Sequence, residues 1–502
     1  MNSNPNYDSE FCGKVPIHLI NTIQPYGVLL VLSRPGLEII QVSENAAAIF
    51  GRAAPDLVRT PVGRYLDVPT NDALFAVSSG KSADKIPQVW QVGGQRYFAL
   101  IHIKDDQILV ELEARPYKTD EQQSFISVYQ QIRYSMSLIE KAASSTEVCA
   151  IAAGELRRIS GFDKVMIYRF DEDWNGTVIA EERKQDMESY LGFTFPASDI
   201  PKQARELYLR NPYRYIPDRT YAPVKLYPVI NPGTHSFVDL SDCNVRGVVS
   251  VHLEYLANMG VTASMSTRIL NNDRLWGLIA CHHSTPKWMS FELCSVFELL
   301  SNIISARLHS LQNKERADAF TRTQHTYSRI IEQVYETRSL REALLEANHS
   351  VLELFGAQGA ALISGNEWIP HGQTPGRENV QELMLWLHSR NLKRNLHTDH
   401  LSAEFEQAEA MSGTASGLLA IPFNPDQEQY VLLFRPEFKQ IIEWGGDPES
   451  RIVFEKDGAN YHPRNSFKIW RQTVTGSSLP WREEELTAAE TLRSFLYEYA
   501  AK

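Results

Sequence analysis

The segment Phe195-Pro196-Ala197-Ser198-Asp199-Ile200-Pro201 sets one carboxylate between two prolines in an apolar neighbourhood. Pro196 fixes its own backbone and Pro201 biases Ile200 away from the helical region, so the turn presents Asp199 stiffly. A carboxylate aimed in this way needs a cation or several N–H donors, because an unpaired one takes up a proton sooner than it stays charged. The plainer reading is an N-cap for a helix beginning near Pro201. Further along, Arg214, Arg246, Ser264 and Ser266 supply the groups that hold a carboxylated ligand, since arginine grips a carboxylate bidentately and serine adds neutral donors. A single arginine more often makes a surface salt bridge. Together with Asp199, His252 and His282 the set describes a binding site, and no catalytic group stands out beside it.

Metal chemistry is not indicated. His282 and His283 are neighbours on an expected strand and face opposite sides. The five cysteines, Cys12, Cys149, Cys243, Cys281 and Cys294, are scattered and without CxxC spacing, which argues against structural zinc and against a disulfide framework. With 50 basic against 61 acidic residues, a net charge of −11 and no Lys/Arg block, nucleic acid is not an expected partner. The polar N-terminus, Met1 to Glu10, carries no secretory pattern and no apolar run reaches membrane-spanning length, so reducing cytoplasm is the expected compartment and no membrane the expectation.

These groups need a scaffold, and the 502 residues suffice for roughly three domains. Residues from about Ile17 to Tyr117 predict a mixed unit. Its strands are Val28 to Leu32, Leu37 to Val42, Gln95 to Ile103 and Gln107 to Glu113, with Ser43-Glu44-Asn45 capping a short helix, Ala46 to Phe50, that Gly51 ends. Helical patterns follow over Thr119 to Lys141 and Ser145 to Ile159. Strands Val165 to Phe170, Thr177 to Glu182, Met265 to Leu270 and Arg274 to His282 then flank the Asp199 segment and a Pro- and Tyr-rich loop, Asn211 to Gly233. Between Lys287 and Phe355 there is no Gly or Pro, and Phe297, Leu300, Ile304, Leu308 and Leu311 recur at helical spacing, which predicts one very long helix. Strands near Ala360 to Ser364, Leu418 to Phe423 and Tyr430 to Arg435 define a third unit. The stretch from Trp444 to Trp470 is a hairpin-like excursion too long for an ordinary connection, and a last helix spans Trp481 to Ala501.

Several separated motifs then share one resemblance. Tyr168-Arg-Phe170, Phe195-Pro-Ala-Ser-Asp-Ile-Pro201, Val251-His-Leu-Glu-Tyr-Leu256, Asn258-Met-Gly260 and Leu275-Trp-Gly-Leu-Ile-Ala-Cys-His-His283 are similar to the chromophore-binding domain of bacterial phytochromes. Ile23-Gln-Pro-Tyr-Gly27 resembles the PAS segment of that family, and Trp444-Gly-Gly446 with Pro463-Arg-Asn-Ser-Phe467 resembles the tongue of its PHY domain. Motifs in the right order over nearly the whole chain are far more specific than any one alone.

The resemblance implies an α+β chain of three tandem antiparallel-sheet domains joined by long helices, with an N-terminal knot. These are PAS (1–117), GAF (118–310) and PHY (311–502), with a tongue over about residues 436–475. The ligand implied is a linear tetrapyrrole, biliverdin IXα. Val251 stands where plant and most cyanobacterial members carry their attaching cysteine, so Cys12 is the expected nucleophile, forming a thioether to the A-ring vinyl group. Cys281 should point away from the ligand if His282 points in. By the same resemblance Arg214 and Arg246 with Ser264 and Ser266 hold the propionates, and His252 and the Asp199 carbonyl serve the pyrrole nitrogens. Tyr168, Tyr208, Tyr255, Phe195 and His282 surround the isomerising D-ring, and Tyr190, Ile200 and Pro201 line the remainder. Tyr26 replaces a frequent histidine, and Gly247-Val-Val-Ser250 replaces a Ser-x-Ser-Pro run, leaving Val249 without a propionate-binding hydroxyl.

The function implied is red/far-red photoreception. The D-ring isomerises in light, and the tongue changes from strand hairpin to helix, exchanging an Asp199–Arg464 salt bridge for a contact with Ser466, with Trp444 at the base. The long helix passes the change to an output module, a histidine kinase or another effector with a response regulator, and a homodimer forms through it. No kinase motif is present in these residues, so no enzymatic activity is expected of them. A GAF-type cyclic nucleotide sensor without photoactivity is the alternative.

Overall fold

The computed structural model describes residues 17–34, 36–80, 85–104, 106–117, 125–448, 453–454, 461–462 and 466–501. It separates into two compact units, one formed by the described residues of Met1–Leu311 and Glu443–Trp470, the other by those of Gln312–Ile442 and Arg471–Lys502.

The first unit starts with strands β1 (Thr22–Ile23), β2 (Gly27–Ser33), β3 (Ile39–Ser43), β4 (Ile86–Val92), β5 (Gln95–Ile103) and β6 (Gln107–Glu113). β2 is apolar without alternation because both its faces are covered. Val28, Leu30 and Leu32 enter the PAS core, while Leu29 and Val31 enter a second core shared with the following domain. The expected cap at Ser43 takes a different form. A 3₁₀ turn, Glu44–Ala46, precedes the helix Ala47–Phe50, and the Ser43 hydroxyl accepts from the Leu29 N–H across the sheet at 3.0 Å instead of capping. Gly51 ends the helix at φ +64°, as expected.

The GAF sheet is built from β7 (Lys164–Phe170), β8 (Gly176–Arg183), β9 (Thr194–Phe195), β10 (Tyr213–Ile216), β12 (Ala263–Asn271) and β13 (Arg274–His283) in the order β10-β12-β13-β7-β8-β9. Helices Phe125–Lys141, Ser145–Ser160 and the first turns of Phe291–Thr337 cover one face; the other is left for the site. The predicted long helix is that 47-residue span, and Phe297, Leu300, Ile304, Leu308 and Leu311 are all buried along it.

The stretch Asn211 to Gly233, expected as a loop, contains two strands, β10 at the edge of the GAF sheet and β11 (Val224–Tyr227), which pairs with β1 and β3 of the PAS sheet. On the other side of the N-terminal segment, Gln24 N–H donates to Val245 O at 2.8 Å, Gly247 N–H to Thr22 O at 2.9 Å and Leu240 N–H to His18 O at 3.1 Å. Residues 18–24 are thus gripped from both sides by the segment 224–247, the contacts that an N-terminal knot requires.

In the second unit, β14 (Gly359–Ser364), β15 (Glu367–Gly372), β16 (Leu396–Thr398), β17 (Gly417–Asn424) and β18 (Gln429–Arg435) form an antiparallel sheet in the order β15-β14-β18-β17-β16. Its faces are covered by Arg377–Ser389 on one side and by Glu483–Ala500, the expected last helix, on the other. The tongue is extended: β20 (Val453–Phe454) pairs antiparallel with β21 (Tyr461–His462), and β19 (Gln440–Gly445) neighbours β22 (Ile469–Val474).

One buried carboxylate anchors the edge of the GAF core. Asp163 accepts from Ser284 N at 2.9 Å and Ser284 Oγ at 2.8 Å, lies 2.7 Å from His283 Nδ1 and pairs with Lys184. Burial alone would raise its pKa, but Lys184 and the two Ser284 donors hold it well below the usual carboxylate range. Its stabilisation is therefore present above the unfolded value near pH 4 and is lost as pH falls through the lower folded value. Asp163→Asn should cost about 2–4 kcal/mol by urea denaturation at pH 7 and should flatten the acid limb of the stability profile.

Candidate functional site

Strand alternation builds the floor of the site. Arg214 on β10 faces Ser266 on β12, which faces Ala280 on β13; one row on, Ile216 faces Ser264, which faces His282, which faces Lys164 on β7. Arg214, Ser264, Ser266 and His282 therefore share one face. Cys281, between them in sequence, is fully buried in the opposite core, as expected, and burial pushes its thiol pKa up.

Two cations meet here without an anion among the described residues. Arg214 Nη2 donates to Gly247 O at 2.7 Å and Arg246 Nη1 to Ile17 O at 3.1 Å, while Arg214 Nη1 and Arg246 Nε are buried with no hydrogen-bond partner among the described residues. Burial, and then the nearby Arg214 charge, push the Arg246 pKa down to about 9, still cationic at neutral pH. Tyr208 reaches the same corner, its hydroxyl 2.6 Å from Ser266 Oγ and near both guanidinium groups. This donor set lacks carboxylates, and a ligand with two of them would satisfy it.

His252 projects from the helix Ser250–Asn258 and stacks on Tyr255, with ring centroids 6.3 Å apart and planes at 9°. Burial first and Arg214 second push its pKa down to about 4; burial, then Lys164 and His252, push that of His282 down to about 3. Both imidazoles are neutral at pH 7 and offer one N–H donor each.

Asp199 does not cap. It ends the 3₁₀ turn Ala197–Asp199, and Pro201 is the N-cap of Lys202–Arg210 without a side-chain bond, because Tyr255 Oη donates to Asp199 Oδ2 at 2.8 Å. Ile200 and Pro201 are half-buried beside it.

An apolar wall closes the site with Tyr168, Tyr190, Phe193, Phe195, Leu278 and Phe467. Gly176 is required beneath it, since a Cβ there would lie 1.7 Å from the Tyr168 ring. Phe467 comes from the tongue, meeting Tyr255 edge-on at 5.2 Å and 89°. Trp444 forms a parallel bridge with Thr194, and Gly445 lets the tongue approach, as a Cβ there would lie 2.7 Å from Phe195. Ser466 is exposed. Cys12 and Arg464 lie outside the described residues. Phe193 and Phe467 are wall residues that sequence reasoning missed; Phe467 closes a quoted motif and was legible there, whereas Phe193 carried no signal beyond its apolarity.

The geometry defines a module whose pocket offers donors suited to a ligand with two carboxylates, beside a tongue contact. Family models match along the chain: a PAS fold over residues 12–115, a GAF domain over 145–308 and the phytochrome region over 323–502. A bacteriophytochrome from Xanthomonas campestris is 34% identical over 97% of this chain and 78% of its own length. Cyanobacterial phytochrome B from a Nostoc strain is 37% identical over 97% of this chain, which spans 65% of that relative. The crystal structure of a bacteriophytochrome from the photosynthetic bacterium R. palustris superposes with a TM-score of 0.85 at 35% identity, covering 98% of this chain and 99% of that one. The photosensory core module of a Stigmatella aurantiaca phytochrome gives 0.81 at 35%, with 98% of each chain covered.

The chain belongs to the phytochrome photoreceptors, in their bacteriophytochrome form. That family places a linear tetrapyrrole in the pocket, and the two arginine nitrogens without partners fit its pair of carboxylates. The cyclic nucleotide alternative is set aside. No helix among the described residues is long and apolar enough to cross a membrane.

The unfolded chain protonates histidine near pH 6.5, whereas the folded pocket refuses protons at His252 and His282 until about pH 4 and 3. The unfolded state thus binds more protons in between, and stability of the ligand-free protein should fall as pH drops from about 7 to 4, each histidine contributing at most about 1.4 kcal/mol per unit. His252→Gln with His282→Gln should flatten that slope in urea midpoints measured across the range.

Proposed function

We propose that this chain is a red/far-red light photoreceptor that holds biliverdin IXα by a thioether from Cys12. The observation that carries this reading is the pair of buried guanidinium groups without an anionic partner, set beside two neutral histidines and an aromatic wall. We place the domains at 1–117, 118–310 and 311–502, with the tongue over about 436–475.

When bound, the tetrapyrrole supplies light absorption and isomerisation about the double bond between its C and D rings. The residues of this chain do the rest. Arg246 and Arg214, with Ser264 and Ser266, hold one propionate each, and the Arg246 contact stands without help from Val249, which lacks a hydroxyl. His252 and the backbone carbonyl of Asp199 serve the pyrrole nitrogens. His282, Tyr168, Tyr190, Phe195 and Tyr255 surround the ring that turns. Cys12 precedes by five residues Ile17, whose carbonyl accepts from Arg246. Its thiol adds across the vinyl double bond: sulfur bonds one carbon, the thiol proton goes to the other, and no oxidant is needed.

The tongue reports the change. In the red-absorbing state Arg464 pairs with Asp199; in the far-red-absorbing state Ser466 replaces it as the strands of the tongue become helix, a bistable element of the type a switch needs. The Asp199–Tyr255 bond at 2.8 Å supports this reading, since it shows the carboxylate turned away from its own helix. The helix Phe291–Thr337 carries the change to an output module, a histidine kinase or other effector acting on a response regulator, within a cytoplasmic homodimer. Exposed Tyr129, Tyr134 and Leu299 on the helices Phe125–Lys141 and Phe291–Thr337 support that pairing.

Biliverdin added to the apoprotein should give a red-absorbing adduct that survives denaturation, and Cys12→Ser should leave the pigment extractable. A covalent adduct in Cys12→Ser would overturn the attachment site. Arg246→Ala should weaken binding about 10- to 100-fold in a fluorescence titration, the loss of a charged hydrogen-bonded contact. Asp199→Asn and Arg464→Ala should each lower photoconversion yield and alter the infrared amide signature of the tongue; normal yield and signature in both would dismiss the salt-bridge switch.

A further inference from the structure

Sequence spacing gave no metal site, because Cys243 stands far along the chain from His102 and Glu111, which are themselves on two different strands. His102 lies on β5 and Glu111 on β6, where Leu100 faces Glu111 and His102 faces Leu109, so the two side chains are diagonal neighbours on one face. Cys243 arrives in a turn closed by its own N–H on Leu240 O at 3.0 Å. All three are buried, at 5%, 0% and 1% exposure, and His Nε2 or Nδ1, a carboxylate oxygen and the thiol sulfur lie within 4.8 Å of one another.

We propose that His102, Glu111 and Cys243 form a binding site for zinc or a zinc-like divalent metal ion. Imidazole, thiolate and carboxylate together select this class over magnesium or calcium, which prefer all-oxygen ligands. Three protein ligands leave one tetrahedral position for water. A divalent ion against one carboxylate and one thiolate gives a neutral centre, the form a buried site tolerates. The neighbouring Lys85 is engaged elsewhere, its amine donating to Asn211 Oδ1 at 2.8 Å and Asn244 Oδ1 at 2.7 Å.

Without metal, His102 Nε2 lies 2.6 Å from Glu111 Oε1 in a hydrogen bond, and Glu111 Oε2 accepts from Val245 N at 2.7 Å. On binding, the imidazole proton moves to Nδ1, the thiol proton leaves for solvent and no redox change occurs. The two ligand atoms part to about 3.3 Å, the separation set by metal–ligand bonds of about 2 Å in tetrahedral geometry. One proton is released per ion, so affinity rises about tenfold per pH unit below the thiol pKa. The ion would fix the turn three residues ahead of Arg246, tying the PAS sheet to the segment that presents that arginine. The competing account is a polar network that anchors Val245 and needs no metal.

The test is elemental analysis of the purified chain, prepared with and without tetrapyrrole, after equilibration with zinc and passage over a chelating resin. Wild type should retain about one zinc per chain, and Cys243→Ala less than about a fifth of that, as loss of the one thiolate ligand requires. X-ray absorption at the zinc edge should show a single sulfur near 2.3 Å. His102→Asn serves as the second variant should Cys243→Ala fail to fold. No retained zinc, a content unchanged in the folded variants, a content that follows the tetrapyrrole, or a sulfur-free shell each overturns the site. None of these outcomes bears on the light-sensing reading, which is read by pigment attachment.

Discussion

Two arginines, Arg246 buried and Arg214 half-buried, that meet without a carboxylate among the described residues are the constraint around which this chain is arranged. Each guanidinium loses hydration on burial, and the Arg214 charge adds to that cost at Arg246. Backbone carbonyls repay only part of that loss, Gly247 O to Arg214 and Ile17 O to Arg246. Such an arrangement lowers the stability of the empty protein and stores affinity for an anion. The neutral histidines follow from the same field: Arg214 adds to the burial that keeps His252 unprotonated, and Lys164 adds to the burial that keeps His282 so.

Holding those carbonyls in place explains why the PAS and GAF portions behave as one body. Ile17 lies at the start of the gripped segment, and Gln24 within it donates to Tyr215 O at 3.0 Å and to Arg246 O at 3.3 Å. Glu111 reaches from the PAS sheet to the Val245 N–H, and Tyr26 donates to Asn244 O at 2.8 Å. Every residue from Asn244 to Gly247 is therefore bonded to the N-terminal portion of the chain. One hydrophobic cluster runs through both, taking Leu29, Val31 and Leu109 from the PAS sheet and Val165, Met265 and Phe297 from the GAF portion. A pocket whose charges are partly uncompensated needs this rigidity, because a loose segment would turn Arg246 out to solvent.

What the sequence made legible follows from how local each signal is. The longer apolar strands β7, β8, β12, β13, β14, β17 and β18 and the 47-residue helix were readable from apolar runs and the absence of Gly and Pro, which depend on neighbouring residues alone, whereas the short β9, β10 and β16 and the half-exposed β15 were not. The site's shared face was readable too, because Ser264, Ser266 and His282 obey strand alternation. Capping at Ser43 and Asp199 was misread, since each oxygen prefers a distant donor, Leu29 N–H or Tyr255 Oη, over the helix N–H groups next to it. β11 was missed inside a Pro-rich loop because its partners, β1 and β3, stand about 180 to 200 residues earlier in the chain. The His102–Glu111–Cys243 cluster was invisible for the same reason, each member looking like an isolated core residue.

Asp199 shows how one side chain connects the pocket to the tongue. Its carboxylate is held by Tyr255, Tyr255 stacks on His252 within the pocket, and the Tyr255 ring meets Phe467 of the tongue at a right angle. A close-packed ring held by two partners cannot shift toward one without loosening the other. The short approach at Gly445 adds a second coupling, since displacement of Phe195 pushes directly on tongue backbone. The apolar contacts at Tyr255 and Phe195 thus join the pocket wall to the tongue alongside the hydrogen bond that holds Asp199.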